Sequence, residues 1–285
     1  MEKTKFVKSP LNYTGGKYKL LPQILPLFPK DINTFVDMFC GGCNVGLNVD
    51  AERIVFNDFM PQIIELYQRW SDDGVEKTIE YIENLVKEFD LSKTNQEGFL
   101  QIRNEYNEKR DIRDLFVIIA HAFNHQIRFN SKGEYNMPFG KDRSEWNNTM
   151  KKNLIDFINT ISSKQCYFTN KSFEELKIDS LKENDFIYAD PPYLITCASY
   201  NENGGWNEES EYRLLEILDA CNKKGIKFAL SNVLENKGKK NDILIAWAEK
   251  NNYNIHHLNM TYSNCNYHAL DKSSGTTDEV LITNY

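Results

Sequence analysis

Thr34-Phe35-Val36-Asp37-Met38-Phe39-Cys40-Gly41-Gly42 is the stretch on which the fold turns. Residues 34–39 form a short apolar run and the glycine pair closes it in a tight turn, the pattern of a buried strand. A second short run, Arg53-Ile54-Val55-Phe56-Asn57, is followed by Asp58. The interval leaves room for a helix over about 44–51, so the pair reads as a βαβ unit with parallel strands. Beyond it the period changes. Met60, Ile63, Ile64, Tyr67 and Trp70 share one helical face, as do Ile79, Ile82, Leu85, Val86 and Phe89. Leu115–Phe123 is apolar all round, which predicts a buried helix, and 124–145 collects Asn, Gly, Arg and Lys as a long loop or hairpin. A helix over 148–162 follows. Phe186-Ile187-Tyr188-Ala189 is then a strand, and Leu214, Leu215, Leu218 and Cys221 mark a helix. A strand at Ile226–Leu230, a helix near Ile243–Glu249 and strands at 254–262 and 279–284 complete the pattern. The expected fold class is α/β. Residues 1–59 and 161–285 form one sheet domain, interrupted by a mainly helical insert over 60–160.

A chain of 285 residues can bury a full core, and 41% hydrophobic with 26% charged residues is ordinary for a globular protein. No apolar run approaches the roughly 20 residues that span a bilayer. Met1–Lys5 lacks the apolar stretch of a secretion signal, so a cytoplasmic location with no membrane partner is expected. Six scattered cysteines suit reduced thiols better than a disulfide framework. Cys40 and Cys43 form a CxxC, but no second CxxC or nearby histidine pair completes a zinc site, so no metal is expected. A net charge of −7 argues against a protein that coats nucleic acid. The charge is uneven, however. Residues 1–30 carry six lysines against Glu2 alone, and 121–152 carry Arg128, Lys132, Lys141, Arg143, Lys151 and Lys152 against three acids.

Asp190-Pro191-Pro192-Tyr193 stands directly after a predicted strand. Ligands of open parallel sheets sit beyond the carboxyl ends of strands. Two prolines remove two amide donors and stiffen the chain, holding a carboxylate and a carbonyl as acceptors beside an aromatic face. That set suits a planar ring with an exocyclic amine. Such an amine is a poor nucleophile, because its lone pair is delocalised, and acceptors on its protons favour a pyramidal nitrogen able to attack a methyl sulfonium. A plain strand-stopping turn is the bland reading of the same residues. Asp37–Gly46 brings glycines where a backbone must approach a ligand, without the GxGxxG of dinucleotide folds. Asp58 stands where an acid would hold ribose hydroxyls, although such a residue is as readily a helix cap. Asn12-Tyr13-Thr14-Gly15-Gly16-Lys17 suggests an anion or carboxylate grip, but is not a Walker loop.

Together and in this order, these elements resemble the DNA adenine-N6 methyltransferases of the GATC-methylating (Dam and DpnII-type) family. The likeness runs from Asn12–Lys17 through Asp37–Gly46 and Asn57-Asp58 to Glu279–Tyr285. It implies a Rossmann-like methyltransferase sheet with a helical target-recognition insert, and S-adenosylmethionine as methyl donor. Tyr13, Lys17, Asp37, Phe39, Gly41, Asp58 and Asp190 would bind that donor, and Asp190, Pro191, Pro192 and Tyr193 would form the catalytic loop. In the family, the segment matching Phe123–Gly140 is a DNA-reading hairpin. This implies contacts to double-stranded DNA by Phe123, Asn124, Arg128, Asn130 and Pro138, with Arg128 gripping guanine O6 and N7 and the target adenine flipped out of the helix. The most familiar member has tryptophan where this chain has Tyr13 and tyrosine where it has Phe123. The loop Leu194–Trp206 is distinctive, so GATC is a first expectation for the site. A monomer is expected, with any cognate restriction endonuclease acting separately. The alternatives are a related fold acting on RNA adenine or cytosine N4, or a DNA- or nucleotide-binding module without catalysis. A cytosine-C5 enzyme is excluded, because no cysteine follows a proline.

Overall fold

The run read as the first strand forms Ile32–Asp37 (β1), and the second forms Ala51–Asn57 (β2). The structure is a computed structural model describing residues 6–196, 205–259 and 277–285. The other strands are Gln165–Thr169 (β3), Phe186–Ala189 (β4), Lys227–Asn236 (β5), Lys239–Lys240 (β6), Asn254–Leu258 (β7) and Thr277–Thr283 (β8). The α-helices are Leu21–Ile24 (α1), Pro61–Glu88 (α2), Gln96–Lys109 (α3), Ile112–His121 (α4), Asn148–Ser163 (α5), Glu208–Lys223 (α6) and Asp242–Lys250 (α7). The chain divides into two compact units. One comprises Met1–Tyr18, Gly41–Asn48 and Met60–Asn170; the other comprises Lys19–Cys40, Val49–Phe59 and Lys171–Tyr285.

In the second unit the strands lie in the order β2-β1-β4-β5-β8-β7, with β6 beside β5. β1 runs parallel to β2 and β4, and β4 parallel to β5. β8 is antiparallel to both β5 and β7, so the sheet is mostly rather than wholly parallel. Both faces are covered, as a parallel sheet requires. Val36, Ile187, Phe228, Leu230 and Ile282 pack with Leu214, Leu218, Leu244 and Trp247 from α6 and α7. Alternate residues turn the other way, where Phe28, Phe35, Phe186 and Tyr188 form an aromatic layer with ring centroids 4.9–6.3 Å apart. Burying each such side chain stabilises the sheet by roughly 2–3 kcal/mol.

The first unit is mainly helical. α2 breaks at Gly74, whose φ of 71° leaves the helical region. Tyr67 and Trp70 from its first half pack on Phe116 of α4 and Phe157 of α5. α3, α4 and α5 open on Asn95, Asp111 and Asn147, each accepting a backbone N–H with its side chain. Every residue of α4 from Asp114 to His121 is buried, as its apolar run predicts. Residues 122–139 form a hairpin with bridges Ala122↔Phe139 and Phe129↔Tyr135. α3 fixes the hairpin: Asn107 accepts from the Tyr135 amide at 2.8 Å, and Arg103 donates to the Met137 carbonyl at 3.0 Å.

Three expectations change. The helix over 44–51 is absent, and only a 3₁₀ turn at Gly46–Asn48 forms there. Asn44 and Asn48 instead spend their side chains on the N-terminal backbone, accepting from the amides of Ser9 at 3.1 Å and Val7 at 2.7 Å. Such Asx bonds compete with the helical ladder. The strand read at 226–230 runs on to Asn236 because β8 pairs along its full length. α3 and β3 were not foreseen. Buried Phe99, Ile102 and Tyr106 carry the helical period of α3, but charged neighbours dilute it. Of the strand read at 254–262, residues 260–262 lie outside the described residues.

His121 gives the helical unit a pH dependence. Its ring is 1% exposed, with Nδ1 2.8 Å from the Val117 carbonyl and Nε2 accepting the Trp146 amide at 3.4 Å. Burial holds its pKa below the usual 6.5, against the raising effect of the Val117 hydrogen bond and Glu145. The unfolded chain therefore binds the proton first. This stability is fully present above pH 6.5 and lost as pH falls through the depressed value. Unfolding free energies measured at about pH 8 and pH 5 are expected to differ less in His121→Gln than in the unaltered chain. His256, also lowered by burial, contributes equally to both.

Candidate active site

β1 pairs with β2 on one side and β4 on the other, all three parallel. Asp37, at its carboxyl end, is level with Phe56 of β2 and with Tyr188 of β4. Asp58 and Asp190 each lie two residues beyond those partners, so the three carboxylates stand at the same edge of three adjacent strands. The chain passes from β1 to β2 on one side and returns to β4 on the other. That reversal is where open α/β sheets bind ligands. The edge is firmly built. Met38 donates to the Tyr188 carbonyl at 2.9 Å and Cys40 to that of Asn57 at 2.7 Å. The Asn57 amide donates to Met38 O at 3.0 Å and accepts from the Lys171 amide at 3.1 Å. Asp37 and Asp58 are buried, Asp190 partly so. The ring of Phe59, immediately after Asp58, is 78% exposed.

In the Asp190-Pro191-Pro192-Tyr193 tetrad, the Tyr193 hydroxyl lies 3.1 Å from Asp190 Oδ1 and 3.3 Å from Glu279 Oε1. Burial, with the negative charges of Asp190 and Glu279, pushes the Tyr193 phenol well above its ordinary pKa and keeps it protonated. Below it, the Tyr188 hydroxyl meets Ser231 Oγ at 2.8 Å, and burial likewise raises its pKa. Phe39 packs against Phe173 and edge-on against Trp206, with centroids 5.6 and 5.7 Å away. The Trp206 indole donates to Glu211 at 2.8 Å; Asn232 and Asn241 donate to the same buried carboxylate. Burial raises the Glu211 pKa, and these three donors oppose the rise. Sequence reading missed Glu279, Glu211, Trp206 and Phe59 as site residues. For Glu279 a signal existed: an acid directly before the apolar run Val280-Leu281-Ile282.

The other unit holds the remaining candidates. Tyr13 lies against Gly41: a Cβ built there would sit 2.8 Å from the Tyr13 ring, and Gly41 has a φ of +45°. The Tyr67 hydroxyl donates to the Gly41 carbonyl at 2.7 Å. Lys17 is buried and donates to the Gly15 carbonyl at 2.7 Å. In the hairpin, the Phe123 ring is 39% exposed while its amide donates to the Pro138 carbonyl at 2.9 Å. Asn124, at φ 54°, accepts from the Asn12 side chain at 2.9 Å. Arg128 is exposed and donates to Asn136 at 2.8 and 3.1 Å. Asn130 organises the turn, accepting from the Lys132 and Glu134 amides at 2.9 Å. The structure thus joins Tyr13 with Gly41, Phe123 with Pro138 and Asp190 with Tyr193, while Arg128 and Asn130 engage different partners.

The sequence pattern of the D12 class N6 adenine-specific DNA methyltransferases matches residues 13–264. The chain belongs to this family. Among similar proteins, the type II methyltransferase M.FokI of Planomicrobium okeanokoites is 48% identical over 284 residues, 98% of this chain and 43% of that protein. The modification methylase StsI of Streptococcus sanguinis is 47% identical over 285 residues, 99% of this chain and 43% of that protein. The DNA adenine methylase of Escherichia coli K12 is 28% identical over 234 residues, 78% of this chain and 79% of that protein. The chain therefore spans less than half the length of the first two relatives. Among the described residues of this D12 class member, no group of three His, Cys, Asp or Glu is disposed to hold a metal ion. No described helix is long and apolar enough to cross a membrane.

Proposed function

We propose that the chain transfers the methyl group of S-adenosylmethionine to the N6 amine of an adenine flipped out of double-stranded DNA. The observation that carries this reading is the DPPY tetrad (Asp190–Tyr193) at the carboxyl edge of β4, beside β1, where the sheet order reverses. The donor set fits such a ligand. Carboxylates at Asp37 and Asp58 suit hydroxyl and ammonium donors, Phe39 and the exposed Phe59 offer apolar faces, and Gly41 permits close backbone approach. Tyr13, Lys17 and Asp190 complete the proposed cofactor set. The bound donor would supply an electrophilic methyl sulfonium. Asp190 would accept a proton of the target amine in a hydrogen bond, the rigid Pro191-Pro192 backbone would hold the neighbouring carbonyl in place, and Tyr193 would flank the base.

Target recognition is assigned to residues 60–160, with Phe123, Asn124, Arg128, Asn130 and Pro138 at the DNA. The relatives at 47–48% identity carry modification-enzyme names rather than the name DNA adenine methylase. The proposed target is therefore a short adenine-containing site, with GATC the first sequence to test. The enzyme is proposed to act as a monomer, with any cognate endonuclease separate. Incubation with labelled S-adenosylmethionine and plasmid, followed by mapping of modified bases, tests all of this; label on cytosine, or none on DNA, would overturn it. Arg128→Ala is expected to relax discrimination at one guanine position by about 1–3 kcal/mol, measured as methylation rates on single-substituted duplexes. An unchanged preference removes Arg128 from the reading set.

A further inference from the structure

The Tyr193 hydroxyl carries one proton, yet two carboxylate oxygens lie within hydrogen-bonding distance of it, Asp190 Oδ1 at 3.1 Å and Glu279 Oε1 at 3.3 Å. Asp190 and Tyr193 belong to the loop that leaves β4. Glu279 belongs to β8, an interior strand paired to Val233 of β5 on one side and to Leu258 of β7 on the other. Its side chain is 2% exposed and cannot swing away. Tyr193 thus ties a loop carboxylate to a rigid strand 86 residues further along. Resting on the function proposed above, we propose that Glu279 is a positioning residue: through the Tyr193 hydroxyl it sets the orientation of the Asp190 carboxylate that receives the target amine.

The physical need is specific. Pro191 and Pro192, which follow it, stiffen the main chain but fix no torsion of the Asp190 side chain, whose orientation is set by the contacts its carboxylate makes, that with Tyr193 among them. An acceptor must meet the amine proton at a fixed distance and angle, and a misplacement of about 1 Å costs about 100-fold in rate. A buried phenol whose single proton is shared between the two carboxylates supplies that restraint without itself exchanging a proton with the base, since burial beside two acids keeps it protonated. Removing the anchor would loosen one of the contacts that orient the acceptor while leaving cofactor and DNA binding intact. That signature separates positioning from a merely structural role.

The test compares Glu279→Ala, Glu279→Gln, Tyr193→Phe and the double variant Glu279→Ala/Tyr193→Phe in the whole 285-residue chain. Glu279→Ala is expected to lower kcat about 10- to 100-fold, with KM for S-adenosylmethionine and for DNA within about threefold of the parent. Glu279→Gln, which keeps shape and a hydrogen bond to the phenol, is expected to restore most of the loss and guards against simple misfolding. The double variant is expected to be no worse than Glu279→Ala, because both changes break one chain of contacts. A normal kcat in Glu279→Ala, no rescue by Gln, or multiplying losses would overturn the proposal. The ring resonance of Tyr193 in tyrosine-labelled protein, assigned by its loss in Tyr193→Phe, reads the contact without any turnover. It is expected to shift in Glu279→Ala, and an unmoved resonance overturns the proposal. If the parent chain transfers no methyl group to adenine, the proposed function falls, and the resonance alone then decides the tie.

Discussion

Asp190→Ala is expected to lower kcat for adenine methylation by about three orders of magnitude, near 4 kcal/mol of barrier, while DNA affinity stays within about twofold. The size follows from what the carboxylate does. It is the acceptor toward which the amine would direct a proton, so its effect is concentrated in the transition state, where nitrogen gains positive charge. The loss should therefore appear mainly in kcat, with KM for DNA unchanged. Stability should change little, because Asp190 is only partly buried and the Tyr193 hydroxyl keeps its contact with Glu279. Asp190→Asn retains one acceptor oxygen and is expected to lose less. Single-turnover methylation of a duplex with one target adenine, alongside DNA binding by anisotropy, makes the measurement. Turnover near the parent rate would remove Asp190 from the catalytic assignment.

Gly41→Ala is expected to raise the dissociation constant for S-adenosylmethionine about 10- to 100-fold, or about 1.4–2.7 kcal/mol. Two effects act together. The φ of +45° at Gly41 lies in the left-handed region, which costs an L-residue roughly 1–2 kcal/mol. The new methyl would also stand 2.8 Å from Cδ1 and Cε1 of Tyr13, closer than real contacts allow, so the ring must shift. The peptide has little freedom to yield, because the buried Tyr67 hydroxyl grips its carbonyl at 2.7 Å. Two proposed cofactor residues are thus disturbed by one methyl group, with no change at Asp190 or in the hairpin. Calorimetric titration with the cofactor alone checks this, and an unaltered dissociation constant would show that Tyr13 and Gly41 take no part in holding it.

Much of the fold was legible because its signals are local. The run ending at Gly41-Gly42, the four apolar residues before Asp190 and the all-apolar stretch of α4 each declare their period within a few residues. Where polar side chains redirect the backbone, the same reading fails. Asn44 and Asn48 bind the N-terminal segment rather than allow a helix, and no periodicity could show that the partner lies at Val7 and Ser9. α3 was missed for a related reason: its buried positions are few, and its stability comes from the Asn95 cap and from packing.

By itself the sequence determined the α/β class, the carboxylate-proline-proline-aromatic tetrad and its place after a strand, since these follow from side-chain period and from the rigidity of proline. Tertiary structure alone decided that β8 enters antiparallel, that Asp37, Asp58 and Asp190 end three adjacent strands, and that Glu279 meets Tyr193. The division has a physical basis. Local conformation depends on neighbours a few bonds away, whereas the partner of a buried hydroxyl is chosen by strand order and register, which join residues far apart in the chain.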